Sequence, residues 1–267
     1  MTKRPPGEAL GTVQRVVEVL RFFAERREAT LKELSVALSL APSTCHRLLD
    51  LLGREGLIEQ DQVHRRYRAG IELFRISALV QSRDDIRSVA RPVLRQLVDA
   101  CDETCVLSLY LPTEAKIFFA ERVDSSRALR YQVAMNTPVS VLWGASGRAV
   151  LAFLDSKTVD HIYKTEGRAP GSGDALPARR SLEKDLAAIR QRGYDITHGQ
   201  KIAGAVGISA PVFGIDGKVV GSLCITVPET RIKAKDYSRL GSLVRSGAGR
   251  LSQAVGSPPN HIFAESA

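Results

Sequence analysis

Residues 41–60 read APSTCHRLLDLLGREGLIEQ, and the fold of the first third of the chain turns on them. Pro42 suits the first turn of a helix, where its missing N–H costs nothing. From there Cys45, Leu48, Leu49 and Leu52 fall at i, i+3, i+4 and i+7 and form one apolar face. At about 100° per residue the other side carries Ser43, His46, Arg47, Asp50 and Arg54. A short helix that turns hydroxyls, a histidine and an arginine outward is equipped to meet a polar, anionic partner.

The flanking residues extend the pattern. From Thr12, the residues Val13, Val16, Val17, Leu20, Phe23 and Ala24 keep helical spacing with one buried stripe. A second helix starts at Thr30, where Thr30 and Glu33 form the Ser/Thr-x-x-Glu capping box that satisfies two backbone donors reciprocally. Leu31, Leu34, Ala37 and Leu38 form its inner face, and SLAP breaks it before Pro42. Two helices joined by about four residues are the parts of a helix-turn-helix, whose second helix enters the major groove N-terminal end first. Past Gly56, LIEQ (57–60) and RYRA (66–69) read as strands around the turn DQVHR. A hairpin there is a wing, with His64, Arg65 and Arg66 at its tip suited to backbone phosphates.

Residues 12–73 resemble the N-terminal domain of the IclR family of bacterial transcription regulators. The resemblance is carried by ATLKELSVALSLAPSTCHRLLDLLGREGLIE and by RYRAG followed by IEL. It implies a winged helix-turn-helix in which Ser43, Thr44 and Arg47, with His46 between them, read operator DNA. Thr30, at the start of the preceding helix, and His64, Arg65 and Arg66 of the wing complete the expected DNA-binding set.

IELFRISALVQ (71–81) reads as a linking helix and 88–103 as a long amphipathic helix. The texture then alternates. Residues 104–111, 116–123, 129–134, 205–214 and 218–228 are β-rich, the last two joined by the hairpin signal IDGK. Helical patterns return at 144–154, 181–193 and 235–254, and 166–180 is a Gly/Pro-rich loop. Antiparallel strands with flanking helices make an α+β domain. The expected organisation is a winged helix-turn-helix over 1–70, a linker helix over 71–87, an effector-binding domain over 88–255 and a flexible tail over 256–267.

The resemblance continues through LWGASGRAVLAFL and RGYDITHGQKIAGAVGISAPVFGIDGKVVGSLCITVP. It implies a GAF-like fold that binds a small effector, often an organic or aromatic acid. The ligand positions it implies are Ala145, Ser146, Thr197, Ala205, Gly207, Cys224 and Thr226, and Trp143 is placed to stack on or close over an apolar ligand. Two departures stand out. Leu142 and Trp143 occupy the place of the family's His-Ala or His-Cys, and THGQKIAGA replaces a segment that is often acidic. Ser146, Cys224, Thr226 and backbone N–H groups near Gly204 and Gly207 can hold a carboxylate without a full counter-charge.

The totals set bounds. The 267 residues suffice for two modest domains. The net charge is +9, but it is diffuse: residues 1–69 hold 12 basic and 9 acidic side chains, so a nucleic-acid partner has to be argued from geometry. No apolar run approaches the ~18–20 residues that span a bilayer, and the N-terminus lacks a secretory pattern; the expectation is a cytoplasmic protein. Cys45, Cys101, Cys105 and Cys224 are too few and too irregular for a disulfide framework, and no metal site or cofactor is expected. The five histidines are scattered, and no nucleophile elbow, zinc-protease motif or phosphate loop occurs, so no catalytic residue is assigned. The function expected is a DNA-binding transcriptional regulator modulated by a small molecule. It would work as a homodimer or dimer of dimers on a palindromic, double-stranded operator. The alternatives are a redox-sensing regulator using Cys101, Cys105 or Cys224 and, further off, a small-molecule enzyme.

Overall fold

The computed structural model describes residues 11–61, 63–82, 86–131 and 133–258. They divide into two compact units, Met1–Asp84 and Asp85–Ala267.

In the first unit, α1 (Thr12–Glu25), α2 (Leu31–Leu38) and α3 (Pro42–Arg54) precede a hairpin of β1 (Ile58–Gln60) and β2 (Tyr67–Ala69), and α4 (Ile71–Ser82) follows. The periodic residues do meet. Val19, Phe22, Phe23, Leu34, Cys45, Leu48, Leu49, Leu52 and Ile58 form one buried cluster. Helix α2 starts with the capping box: Glu33 N–H donates to Thr30 Oγ1 at 3.2 Å and Thr30 N–H to Glu33 Oε2 at 2.7 Å. It ends at Ser39, which adopts the left-handed conformation and lets the chain turn into α3. The hairpin pairs Ile58 with Ala69 and Gln60 with Tyr67. Its second strand also gains a partner on the other side. Ala29 N–H donates to Tyr67 O at 2.9 Å and Tyr67 N–H to Ala29 O at 2.7 Å, so the wing is stitched to the segment between α1 and α2.

The second unit runs α5 (Ile86–Cys101), β3 (Thr104–Leu111), β4 (Lys116–Val123), β5 (Val139–Ser140), α6 (Ala145–Leu151), α7 (Ser156–Thr165), α8 (Arg179–Arg192), β6 (Asp195–His198), β7 (Ala205–Phe213), β8 (Val219–Pro228) and α9 (Asp236–Ala254). The strands form one antiparallel sheet in the order β5-β4-β3-β8-β7-β6. Alternation along each strand separates two faces. Leu107, Val206, Ile208, Ala210, Leu223 and Ile225 pack against Leu94 and Leu97 of α5 and Leu240, Val244 and Leu251 of α9. The intervening residues, Ser108, Ser209, Ser222, Cys224 and Thr226, turn to the face covered by α6. A second apolar cluster joins Leu151 of α6, Val159 and Ile162 of α7, and Leu182, Leu186 and Ile189 of α8 with Trp143, Phe213 and Val219. Among the described residues, no helix is long and apolar enough to cross a membrane.

Several segments differ from the sequence expectation. Of residues 129–134, the described ones lie in no strand. On the outer edge of β4, the pairing among the described residues is β5 at Lys116 and Ile117 and a single bridge from Met135 to Phe119. Helix α7 and strands β5 and β6 were not expected. Of the tail expected over 256–267, residues 259–267 lie outside the described residues.

Leu48 is 1% exposed at the centre of the first unit's core. Leu48→Ala should destabilise that unit by about 2–5 kcal/mol, and Thr30→Ala by about 1 kcal/mol through loss of the cap. Thermal unfolding followed by circular dichroism checks both, with the second unit's transition unmoved.

Candidate functional sites

The exposed side of α3 carries Ser43, His46, Arg47, Asp50 and Arg54, with Thr44 half-buried. Ala41 is the N-cap and offers no side-chain acceptor, so the positive end of the helix is open. Arg54 pairs with Asp50 at 2.7 Å. Among the described residues, nothing engages the side chains of His46 and Arg47, which leaves their donors available.

The wing tip is built differently from its three basic residues. Asp61 Oδ1 accepts the N–H groups of Val63 and His64 at 2.8 and 3.1 Å, and His64 Nδ1 lies 3.0 Å from Asp61 Oδ2. The bond from the His64 ring, then those from the backbone, hold the Asp61 carboxyl at about 2, so the turn keeps its anion at any ordinary pH. Arg65 sits at the tip with φ 54° and an exposed side chain. Arg66 points back: Nε is 2.7 Å from Glu28 Oε1 and Nη2 is 3.4 Å from Glu33 Oε2. Thr30 Oγ1 donates to that same Glu33 at 3.0 Å, so its hydroxyl serves the cap of α2.

In the second unit a pocket forms where α6 lies on the small-residue face of the sheet. The approach is very close. A Cβ on Gly207 of β7 would stand 3.3 Å from Ala145 Cβ, and one on Gly147 would stand 2.5 Å from Val141 O in the segment that leads into α6, so only glycine fits at 147. Ala145 N–H donates to Thr197 Oγ1 at 2.8 Å, Gly144 N–H to Gln200 Oε1 at 3.1 Å, and Ser222 Oγ to Ser146 O at 3.0 Å. Behind the pocket, Arg148 reaches Asp195 Oδ2 at 2.9 Å and Asp185 at 3.0 Å, and Arg192 reaches Asp195 Oδ1 at 2.7 Å. Burial pushes the Asp195 carboxyl up, and the two guanidiniums pull it back.

Ala145, Ser146, Thr197, Ala205, Gly207, Cys224 and Thr226 all line this pocket, a half-open hollow of about 410 Å³ when the solvent at its mouth is counted and a cavity of about 40 Å³ without it. Trp143 does not. It is 3% exposed within the α6–α8 cluster, and its indole N–H donates to Gly167 O at 3.0 Å. A buried indole needs an acceptor, and that backbone carbonyl holds it away from the lining. The pocket's aromatic ring is Phe119, from β4. Sequence reasoning missed Phe119, Val133, Gly144, Gln200, Ile202 and, the charged one among them, Lys201. Lys201 lines the pocket, donates from Nζ to Ser140 O at 3.1 Å, and places Nζ 5.6 Å from the centre of the Phe119 ring. Burial pushes its amine down to about 8, against smaller opposing pulls from Cys224 and Glu166. The only sequence signal was a lysine inside the segment that departs from the acidic pattern.

Cys45, Cys105 and Cys224 are buried and Cys101 is partly so. Burial pushes the Cys224 thiol up, while a hydrogen bond with Cys105 lowers that of Cys101. Among the described residues, no group of three or more His, Cys, Asp or Glu side chains could hold a metal ion.

Two family models match the chain. The IclR helix-turn-helix domain covers residues 12–62, and the bacterial transcriptional regulator IclR C-terminal domain covers residues 78–253. The chain belongs to the IclR family. It is therefore a DNA-binding transcriptional regulator with a C-terminal effector-binding domain, and its curated relatives are regulators rather than enzymes. Among IclR-family relatives, it is 26% identical over 246 residues to the transcriptional regulator KipR of Bacillus subtilis, covering 92% of this chain and 97% of that one. It is 24% identical over 253 residues to the transcriptional repressor IclR of Escherichia coli, covering 93% and 92%. A putative IclR regulator from a Silicibacter species superposes with a TM-score of 0.83 at 27% identity, covering 93% of this chain and 97% of that chain. An IclR homologue from Microbacterium hydrocarbonoxydans, solved with 4-hydroxybenzoate, shares the fold at a TM-score of 0.74 and 22% identity, covering 90% and 97%.

The Arg148–Asp195 pair, with side chains 8% and 3% exposed, binds α6 to β6. Removing one member of a buried pair leaves the other charge uncompensated, at about 3–5 kcal/mol. Asp195→Ala should therefore lower the second unit's unfolding midpoint, measured by calorimetry on the full chain, while the first unit's transition stays in place.

Proposed function

We propose that this IclR-family regulator reads a palindromic operator as a homodimer or dimer of dimers, and that an organic or aromatic acid in the second unit's pocket controls that binding. The observation that carries the DNA half is the exposed face of α3. Its uncapped N-terminus and its unengaged His46 and Arg47 project from a helix whose opposite side is fully committed to the core. Ser43, Thr44, His46 and Arg47 would meet base edges and nearby phosphates, since arginine bonds guanine bidentately in the major groove. Arg65 would hold a phosphate from the wing tip, as His64 would beside it. Arg66 and Thr30 support the reading surface from behind, through Glu28 and Glu33.

A single winged helix contacts too few base pairs for high specificity, and paired modules are the usual solution. Ile71 and Phe74 of α4 are 72% and 63% exposed, which suits a helix that meets a second copy. The acid effector is supported by the pocket's donors and by the 4-hydroxybenzoate held by the Microbacterium homologue. Such a ligand controls DNA binding only by favouring one arrangement of the protein over another.

Fluorescence anisotropy with labelled DNA from upstream of the regulator's own gene, against a scrambled duplex at two salt concentrations, tests the DNA half. Tight binding to the upstream fragment alone is expected. Equal and strongly salt-dependent binding to both duplexes would defeat it. In the same assay Arg47→Ala should lose about 1–3 kcal/mol of discrimination at the base it reads. Arg65→Ala should weaken all sequences alike and reduce the salt slope by about 1, and Arg66→Ala should change that slope less because its guanidinium is already paired.

A further inference from the structure

We infer that Lys201 is the charge selector of the pocket, and that the ligand it admits is a compact organic monoanion: one carboxylate on a short apolar or aromatic body. The inference rests on the pocket being the effector site and adds which residue sets its specificity and for what charge.

Three observations meet at Nζ. First, Lys201 is the only lysine or arginine among the described residues that line the pocket, and no described aspartate or glutamate lines it. Second, its ammonium is under-served. It donates to Ser140 O, and among the described residues no carboxylate comes within 4.0 Å of it. An ammonium has three donors, and a charge withdrawn from water without a counter-ion is costly; a ligand carboxylate supplies both the missing acceptor and the missing charge. Third, the chain has made room for this side chain. Gly144 has φ 78°, and a Cβ there would stand 3.1 Å from Lys201 Cβ and 3.3 Å from its Cε. The glycine leaves the lysine stem a path into the pocket.

The remaining walls define the rest of the ligand. Phe119, whose ring centre is 5.6 Å from the ammonium, and Val133 and Ile202 elsewhere in the lining offer apolar surface. Gln200 spends its carbonyl oxygen on Gly144 N–H, so its amide donors remain for the ligand, and Ser146 and Thr226 add hydroxyls. With one cation in the lining, a second carboxylate would go uncompensated. The titratable groups that act on the amine are Cys224 from β8 and Glu166, just beyond α7. Glu166 is held by the Ser140 hydroxyl, and burial keeps the Cys224 thiol protonated beyond its usual range. An anion on Nζ favours the charged amine. Affinity should therefore be full below about 8 and fall as the pH rises through that value.

The test is isothermal titration calorimetry on the full-length protein with two matched series. One is benzoate, benzamide and terephthalate; the other is butyrate, butyramide and glutarate. In at least one series the monocarboxylate should bind more tightly than its amide and its dicarboxylate. That binding should weaken about tenfold between pH 7 and pH 9 and about ten- to a hundredfold in Lys201→Met, with Lys201→Arg restoring part of it. Lys201→Met should keep its unfolding midpoint and its operator binding, so a failure of the DNA reading would register separately. The inference is overturned if Lys201→Met binds the acid as wild type does, if amides or dicarboxylates bind as well as monocarboxylates, or if no monocarboxylate binds the wild type.

Discussion

The second unit depends on how closely α6 lies against the sheet. Gly207 of β7 faces the start of the helix, where an added Cβ would stand 3.3 Å from Ala145 Cβ. That proximity lets Ala145 N–H reach Thr197 and lets Ser222 reach the carbonyl of Ser146. It requires small residues across the covered face, and the strands supply Ser108, Gly207, Ser209, Ser222 and Cys224 at alternate positions. The Arg148–Asp195 pair locks the far side of the helix to β6. The pocket is what remains where this contact opens toward Lys201 and Phe119. Its walls are thus elements that packing has already fixed, which is the condition for a site that recognises a ligand by shape and charge.

Much of this was legible in the sequence because periodicity reports burial. Cys45, Leu48, Leu49 and Leu52 occupy the core that their spacing implied, and Ser43, His46 and Arg47 face outward. Strands β3, β4, β7 and β8 announced themselves through runs of apolar and β-branched residues. What escaped lacked that signal. Strand β6 has four residues, and the two turned inward are Asp195 and Thr197, so it carries no apolar alternation. Helix α7 buries only Val159 and Ile162. Residues 129–134 look like a strand, but such a run becomes one only where its backbone is paired, and beyond β5 the pairing on that edge of β4 is a single bridge from Met135.

The same logic divides the pocket. Seven lining positions followed from the resemblance, because small residues at fixed places on three strands and a helix start keep their geometry across a family. Lys201 could not follow from it. Nothing in a sequence marks a lysine as desolvated; that depends on Ser140, Glu166 and Phe119 arriving from three other segments. Trp143 illustrates the converse. Its chemistry suited a ligand, but the carbonyl of Gly167 met its N–H first.

In the first unit, the paired hydrogen bonds between Ala29 and Tyr67 make the wing a three-stranded structure at its base. The ion pairs from Arg66 to Glu28 and Glu33 brace the same joint. A hairpin tied at one end alone would sample many orientations, and ordering it on contact would subtract from affinity. This wing and the helix beside it are preorganised as a single rigid jaw. Encounter with a duplex can then be limited by orientation and charge steering rather than by a search through wing conformations.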